Sequence, residues 1–122
     1  MEPTIEVIAE VLDVRDGDTV NVMAHPWPGF SPTTVIRISG IDTPEMNGKC
    51  EAELSKAVKA KEYLESIISK EVILKNVRYG KYAGRYVGEI VTDKGVNVSD
   101  AMIKAGYARA YNGGKRKGWC DE

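Results

Sequence analysis

The sequence predicts a mainly β fold with two helices. Two period-two runs of β-branched residues flank an Asp-Gly turn, the apolar spacing changes once to three and four after residue 50, and two further β-rich runs follow that change.

Taken in order, Ile5, Val7, Ile8, Val11, Leu12 and Val14 form a first strand over Thr4 to Val14, and Arg15-Asp16-Gly17-Asp18 turns the chain. Thr19 to Met23 alternates on the far side, which makes a hairpin. Pro26, Pro28 and Pro32 exclude a central strand from Ala24 to Pro32, so an exposed loop is expected there. A third strand over Thr33 to Ser39 stops at Gly40 and Asp42-Thr43-Pro44, because proline restricts its predecessor and withholds a donor. In Glu51 to Ser69, Leu54, Ala57, Val58, Lys61, Leu64, Ile67 and Ile68 recur at helical spacing and mark an amphipathic helix. Glu71 to Leu74 and Arg85 to Thr92 read as strands. Lys94-Gly95 turns the chain, and Asn97 or Ser99 caps a short helix through Met102 and Ala105, with Gly106 at its end. Five strands with the main helix between the third and fourth match an OB-fold barrel with two helices. An open antiparallel sheet with packed helices would give the same string of elements, and pattern alone does not separate the two.

The chain has 122 residues, which suits one domain spanning 1–122. With 43% hydrophobic and 29% charged residues it is neither disordered nor collagen-like. Its apolar stretches fall far short of the roughly 20 residues that cross a bilayer, so no membrane partner is expected. Met1-Glu2-Pro3-Thr4 has no basic or apolar leader segment, so the sequence reads as cytoplasmic or as trimmed of a signal. A net charge of −1 argues against a nucleic-acid packaging role, which needs many neutralised phosphates. It does not argue against an enzyme whose metal-binding carboxylates offset its lysines and arginines. Lys70 to Arg85 and Arg109 to Lys117 are basic, and acids gather early and from Glu45 to Glu53. Cys50 and Cys120 are too few for a thiolate metal centre. They read equally as a disulfide or as two unrelated thiols.

Carboxylates stand at irregular positions twice, in Asp16-Gly17-Asp18-Thr19 and in Ile41-Asp42-Thr43-Pro44-Glu45. Calcium takes six to eight oxygen ligands at about 2.3–2.6 Å, and such loops supply them. Taken singly, each segment is ordinary turn chemistry. Arg37 and Arg85 on predicted strands change that weighting, because a guanidinium is costly to bury without an anion and grips phosphate with two parallel hydrogen bonds.

Val14 to Val20 resembles the first motif of the staphylococcal nuclease (thermonuclease) family, Val35 to Glu45 resembles the second, and Gly84-Arg85 resembles the third. The similarity continues through Gly95 to Ser99 and Ala105 to Ala108. The resemblance implies a calcium-dependent nuclease on an OB fold, acting on DNA and RNA and leaving 3′-phosphate ends. It implies that Asp18 and Asp42 bind Ca²⁺ by side chain and Thr43 by its carbonyl, with Asp16 helping through water. It further implies that Glu45 orients or deprotonates the attacking water and that Arg37 and Arg85 hold the phosphate. Lys81 and Tyr82 near a phosphate, and Tyr111 on a base, are the expected substrate contacts; each aromatic is read equally as a filler of gaps at the barrel rim. Tyr82 stands one residue further from the arginine than the family pattern has it. The sequence ends at Glu122 without the long C-terminal helix of the best-known member, so a different closure of the barrel is expected. Arg37 and Asp42 are five apart, and strict alternation would set them on opposite faces, so a bend or bulge near Gly40 is expected to re-aim one.

Trp27 and Phe30 read either as a substrate contact or as a satellite cluster, and His25 as a solvated loop residue. Two rival functions stand beside the nuclease: a non-catalytic OB-fold binder of single strands, and an interaction domain with calcium-binding turns. The second leaves Arg37 and Arg85 without a role. Family members ending in Trp-Cys, like Trp119-Cys120, are commonly exported, so a secreted or periplasmic monomer with a Cys50 to Cys120 disulfide is expected.

Overall fold

A computed structural model describes residues 6–80, 85–111 and 118–120. The elements run β1 (Glu6–Asp16), β2 (Thr19–His25), β3 (Thr33–Ile38), β4 (Ile41–Asp42), α1 (Glu51–Ile67), β5 (Glu71–Tyr79), β6 (Arg85–Thr92), α2 (Val98–Lys104) and β7 (Arg109–Ala110). Alternation is clearest in β2, where Val20, Val22 and Ala24 are buried while Asn21, Met23 and His25 are only half-buried. In β3, Ile36 and Ile38 point inward and Arg37 between them outward.

Five strands close into a barrel in the order β1, β2, β3, β6, β5, with β5 pairing back onto β1. This settles the choice between barrel and open sheet. All pairs are antiparallel except β3 with β6, whose parallel register sets Val35 beside Arg85 and Arg37 beside Val87. The core holds Val20, Val22, Ile36, Ile38, Leu74 and Ile90 with at most 1% exposure. Each contributes roughly 1.5–3 kcal/mol of gross burial.

Several elements differ from expectation for identifiable reasons. β1 runs to Asp16 and leaves only Gly17 and Asp18 in the turn, with register irregularities between Val11 and Asp13 and between Val14 and Asp16. β2 extends through Ala24 and His25, so His25 is a strand residue; its Nδ1 lies 3.0 Å from Ser31 Oγ. Trp27 and Phe30 stack on each other with centroids 4.7 Å apart, both exposed. β5 continues five residues past Leu74 because a bulge interrupts it between Lys75 and Arg78, with Asn76 at φ 54°. Beyond the bulge the alternation changes phase, and Val77 packs on the core.

The helix forms as expected but turns a different face. Glu53, Ala57, Ala60 and Leu64 are buried, whereas Leu54 and Val58 are 44% and 41% exposed. Small Ala57 and Ala60 let the backbone approach the barrel closely, and that packing outweighs the larger apolar residues one position on. Asn97 caps α2 by accepting from the Asp100 N–H at 3.3 Å. Gly106 at φ +86° ends it while Tyr107 donates its N–H back to Met102.

A disulfide joins Cys50 to Cys120 with Cα atoms 6.1 Å apart across a separation of 70 residues. Around it, Lys56 Nζ donates to the Trp119 carbonyl at 3.0 Å, and the Arg109 guanidinium lies 3.7 Å from the Trp119 ring centroid. A bridge closing such a loop stabilises the fold by about 4 kcal/mol in the chain-entropy model. Replacing both cysteines by serine is therefore expected to lower the melting temperature by roughly 10–20 °C. Thermal unfolding followed by circular dichroism checks this, and an unchanged midpoint would show that the bridge contributes nothing.

Candidate active site

The acidic turn and the arginine strand are brought together by backbone pairing. The β2–β3 ladder sets Thr19 opposite Arg37 and continues one step further, where the Ile38 N–H is donated to the Asp18 carbonyl at 2.8 Å. Arg37 Nη2 then lies 3.3 Å from Asp18 Oδ2. Asp18 is 9% exposed and also accepts from the Thr19 hydroxyl at 2.9 Å. Its own N–H is donated to Asp16 Oδ1 at 3.2 Å, which fixes the turn.

Thr43 of the second acidic segment meets this turn directly. Gly17 is what allows it: a Cβ there would stand 2.9 Å from Ala60 Cβ and 3.3 Å from Thr43 Cβ. The bend expected near Gly40 is present, with φ +82°. It ends β3 and starts β4, which pairs with β7 instead of with the barrel, so Asp42 stands opposite Arg109. Asp42 and Thr43 are both nearly fully buried, at 3% and 2% exposure. The same turn places Tyr111, whose N–H is donated to the Gly40 carbonyl at 2.9 Å.

A cleft of about 1000 Å³ opens over these residues. Asp16, Asp18, Arg37, Thr43 and Glu45 line it, and so do Arg85 and Tyr111 from two other segments. Asp42, nearly fully buried, is not among the lining residues, although Thr43 directly after it is. Lys81 and Tyr82 lie outside the described residues. Trp27, Phe30 and His25 take no part. Among the described residues no three carboxylate, imidazole or thiol side chains converge as a metal cluster. The expected ligand set needs no such cluster, since it combines two carboxylates with a backbone carbonyl.

Two features of the cleft escaped sequence reading. Arg78 and Tyr79 line it from the end of β5, beyond the bulge that hid the strand's length; the basic run from Lys70 was their only signal. Glu53 lies buried in the first turn of α1, and its two carboxylate oxygens accept the N–H groups of Glu45 and Lys49 at 3.0 and 3.2 Å. Its signal was the position three residues after the helix cap, where a glutamate commonly reaches back.

Burial, followed by the Asp16 carboxyl beside it, pushes the Asp18 carboxyl up from 3.8 to about 6, against the opposing pull of Arg37 and the Thr19 hydroxyl. The arginine alone thus leaves negative charge in the turn poorly compensated, a donor set that fits a divalent cation. Because the folded pKa exceeds the unfolded one, stability falls as pH rises from about 4 to about 6 and stays lowered above that. The charged form costs on the order of 3 kcal/mol. Asp18→Asn removes this cost together with the attraction to Arg37. In chelator-treated buffer at pH 8 the variant is expected to be more stable than wild type by on the order of 1–3 kcal/mol, with the gain gone near pH 4. Urea titrations at the two pH values check this, and a variant less stable than wild type at pH 8 would overturn it.

Comparison with known proteins places this cleft in context. The family model described as staphylococcal nuclease homologue matches residues 35–119. The chain is 35% identical over 107 residues to Endonuclease YhcR of Bacillus subtilis (strain 168), covering 80% of this chain and 8% of that protein. It is 27% identical over 125 residues to Endonuclease Htp3 of Saprolegnia parasitica, covering 84% of this chain and 54% of that protein. An uncharacterized endonuclease of Escherichia coli O157:H7 is 28% identical over 109 residues, covering 87% of this chain and 62% of that protein. The chain therefore spans less than two thirds of the length of these relatives.

Proposed function

The chain belongs to the staphylococcal nuclease homologue family, and we propose that it is a calcium-dependent nuclease that hydrolyses phosphodiester bonds of DNA and RNA in the cleft between Asp18 and Arg85. The observation that carries this reading is the 3.3 Å approach of Arg37 to Asp18 in an open cleft that Glu45 and Arg85 also line. Cation-seeking carboxylates and phosphate-seeking guanidiniums there share one space. The names of the relatives, all endonucleases, support the same class of reaction.

In this reading Asp18 and Asp42 would hold a calcium ion by their carboxylates and Thr43 by its carbonyl, with Asp16 helping through water. When bound, the ion supplies positive charge where negative charge builds on the phosphoryl oxygens. Arg37 leaves its ion pair with Asp18 and, with Arg85, holds the phosphate by forked hydrogen bonds that strengthen as charge develops. Glu45 is exposed and lines the cleft, so it can face a water molecule, orient it in line with phosphorus and take its proton. Departure of the 5′ oxygen leaves a 3′-phosphate. Tyr111 offers a ring for base stacking, a contact tolerant of sequence and of sugar. The disulfide supports an exported enzyme, since such bonds persist in oxidising compartments.

Cleavage of plasmid and of single-stranded DNA is expected with Ca²⁺ and only weakly with Mg²⁺, which demands near-octahedral geometry at about 2.0–2.1 Å. Full turnover in Mg²⁺ with calcium chelated would refute the metal assignment. Glu45→Gln keeps shape but removes the base, and initial rates are expected to fall about 10²–10⁴-fold while a nucleoside bisphosphate still binds. Asp42→Ala is expected to lose both calcium binding, measured by titration calorimetry, and turnover. A wild-type rate in Glu45→Gln removes Glu45 as the base. A wild-type protein that binds nucleotide without ever cleaving it would favour the non-catalytic binder.

A further inference from the structure

Glu45 has an exposed side chain on a loop, yet a general base must be held to within a fraction of an ångström, since misplacement by about 1 Å can cost about 10²-fold in rate. The backbone of the loop that carries it therefore has to be held as well. We infer that Glu53 is the positioning residue for Glu45, acting as a buried carboxylate pin through the middle of the loop that carries it. This rests on the proposed role of Glu45 as the base.

The geometry is that of a closed ring around one carboxylate. The Glu45 N–H is donated to Glu53 Oε2 at 3.0 Å and the Lys49 N–H to Oε1 at 3.2 Å, so both ends of the loop are tied to the same group. Within the ring, the Gly48 N–H is donated to the Glu45 carbonyl at 3.0 Å. Gly48 lies so close that a Cβ there would stand 2.5 Å from both Cγ and Cδ of Glu53 and 2.7 Å from Oε1. Only glycine leaves room for the carboxylate inside the loop. Upstream, the loop leaves buried Thr43 and Pro44, so its entry is fixed as well.

A carboxylate that is 7% exposed must be compensated, and the helix provides for it. Glu53 is in the first turn of α1, where the free N–H groups and the dipole favour negative charge. Its own N–H is donated to Cys50 Sγ at 3.4 Å, and Cys120 Sγ lies 3.9 Å from Oε1. The disulfide thus lies against the pin. Fixing the Glu45 backbone this way sets the point from which its exposed side chain enters the cleft.

The test uses Glu53→Gln and Gly48→Ala. Glutamine keeps the size of Glu53 but retains one acceptor oxygen and sets an NH₂ group against an amide N–H. Gly48→Ala keeps the charge and displaces it, so it carries the test if the first variant fails to fold. Both are expected to lower kcat about 10–100-fold with KM and calcium affinity within about twofold of wild type. Amide hydrogen exchange at Glu45 and Lys49 is expected to quicken at least tenfold while Val22 and Ile36 in the barrel keep their protection. Wild-type kcat with unchanged exchange at Glu45 and Lys49 would overturn the inference, and so would loss of protection across the whole barrel, which marks a merely structural role. If wild type cleaves and both variants match its kcat, this inference fails alone. If wild type never cleaves, the nuclease reading fails and takes the catalytic half of the inference with it, leaving the exchange result to judge the pin itself.

Discussion

The cleft depends on one backbone hydrogen bond, from the Ile38 N–H to the Asp18 carbonyl at 2.8 Å. It carries the β2–β3 ladder one step past Thr19 and Arg37, into residues that would otherwise be free to form a separate hairpin turn. Without it, Asp18 would be a solvated turn residue and Arg37 an outward strand residue, each unremarkable. With it, a carboxylate and a guanidinium are held side by side at the edge of the core. Gly17 completes the arrangement, since its missing side chain lets the turn rest on Thr43 and Ala60.

Other segments reach the same place by short-range means. Positive φ at Gly40 redirects the chain from the barrel to the β4–β7 pair, and this both buries Asp42 and sets Tyr111 at the cleft wall. Parallel pairing of β6 with β3 sets Arg85 beside Val35, two residues before Arg37 on the same outer face. The cleft is thus formed by the outer face and loop ends of a barrel whose interior is aliphatic. That separation lets charged groups vary without touching Val20, Ile36 or Leu74.

Much of the barrel was legible because local pattern and tertiary environment agree. β2, β3 and β6 alternate cleanly, and cap chemistry was present at Asn97, one of the two caps the sequence offered, and at Gly106. The rest was hidden where tertiary packing overrides local pattern. The bulge at Asn76 masks the far half of β5, and two-residue strands such as Ile41–Asp42 are too short to have a period. In α1 the hydrophobic ranking of Leu54 and Val58 above Ala57 and Ala60 points to the wrong face, because fit to the barrel and not side-chain size decides which face is buried. At the cleft, Asp16, Asp18 and Arg37 were legible as acids in a turn and an arginine on a strand, and Glu45 through the family resemblance. Glu53 stood at a capping position three residues after Cys50, but only the fold shows that it accepts from two amides of the Glu45 loop.

Under the proposed function, charge also explains how a chain of net −1 would address a polyanion. Among the described residues, three acids, Asp16, Asp18 and Glu45, and three arginines, Arg37, Arg78 and Arg85, line the cleft, so their charges sum to zero. A neutral cleft has little long-range pull on phosphate. Under the proposed function a divalent cation adds two positive charges at short range, where Coulomb energy is greatest, and relieves the burden on Asp18 at the same moment. Substrate affinity then follows from occupation of the acidic turn and not from the field of the whole surface. This removes the apparent conflict between an acidic protein and a nucleic-acid substrate, and it couples binding of the phosphate to readiness of the site that would cleave it.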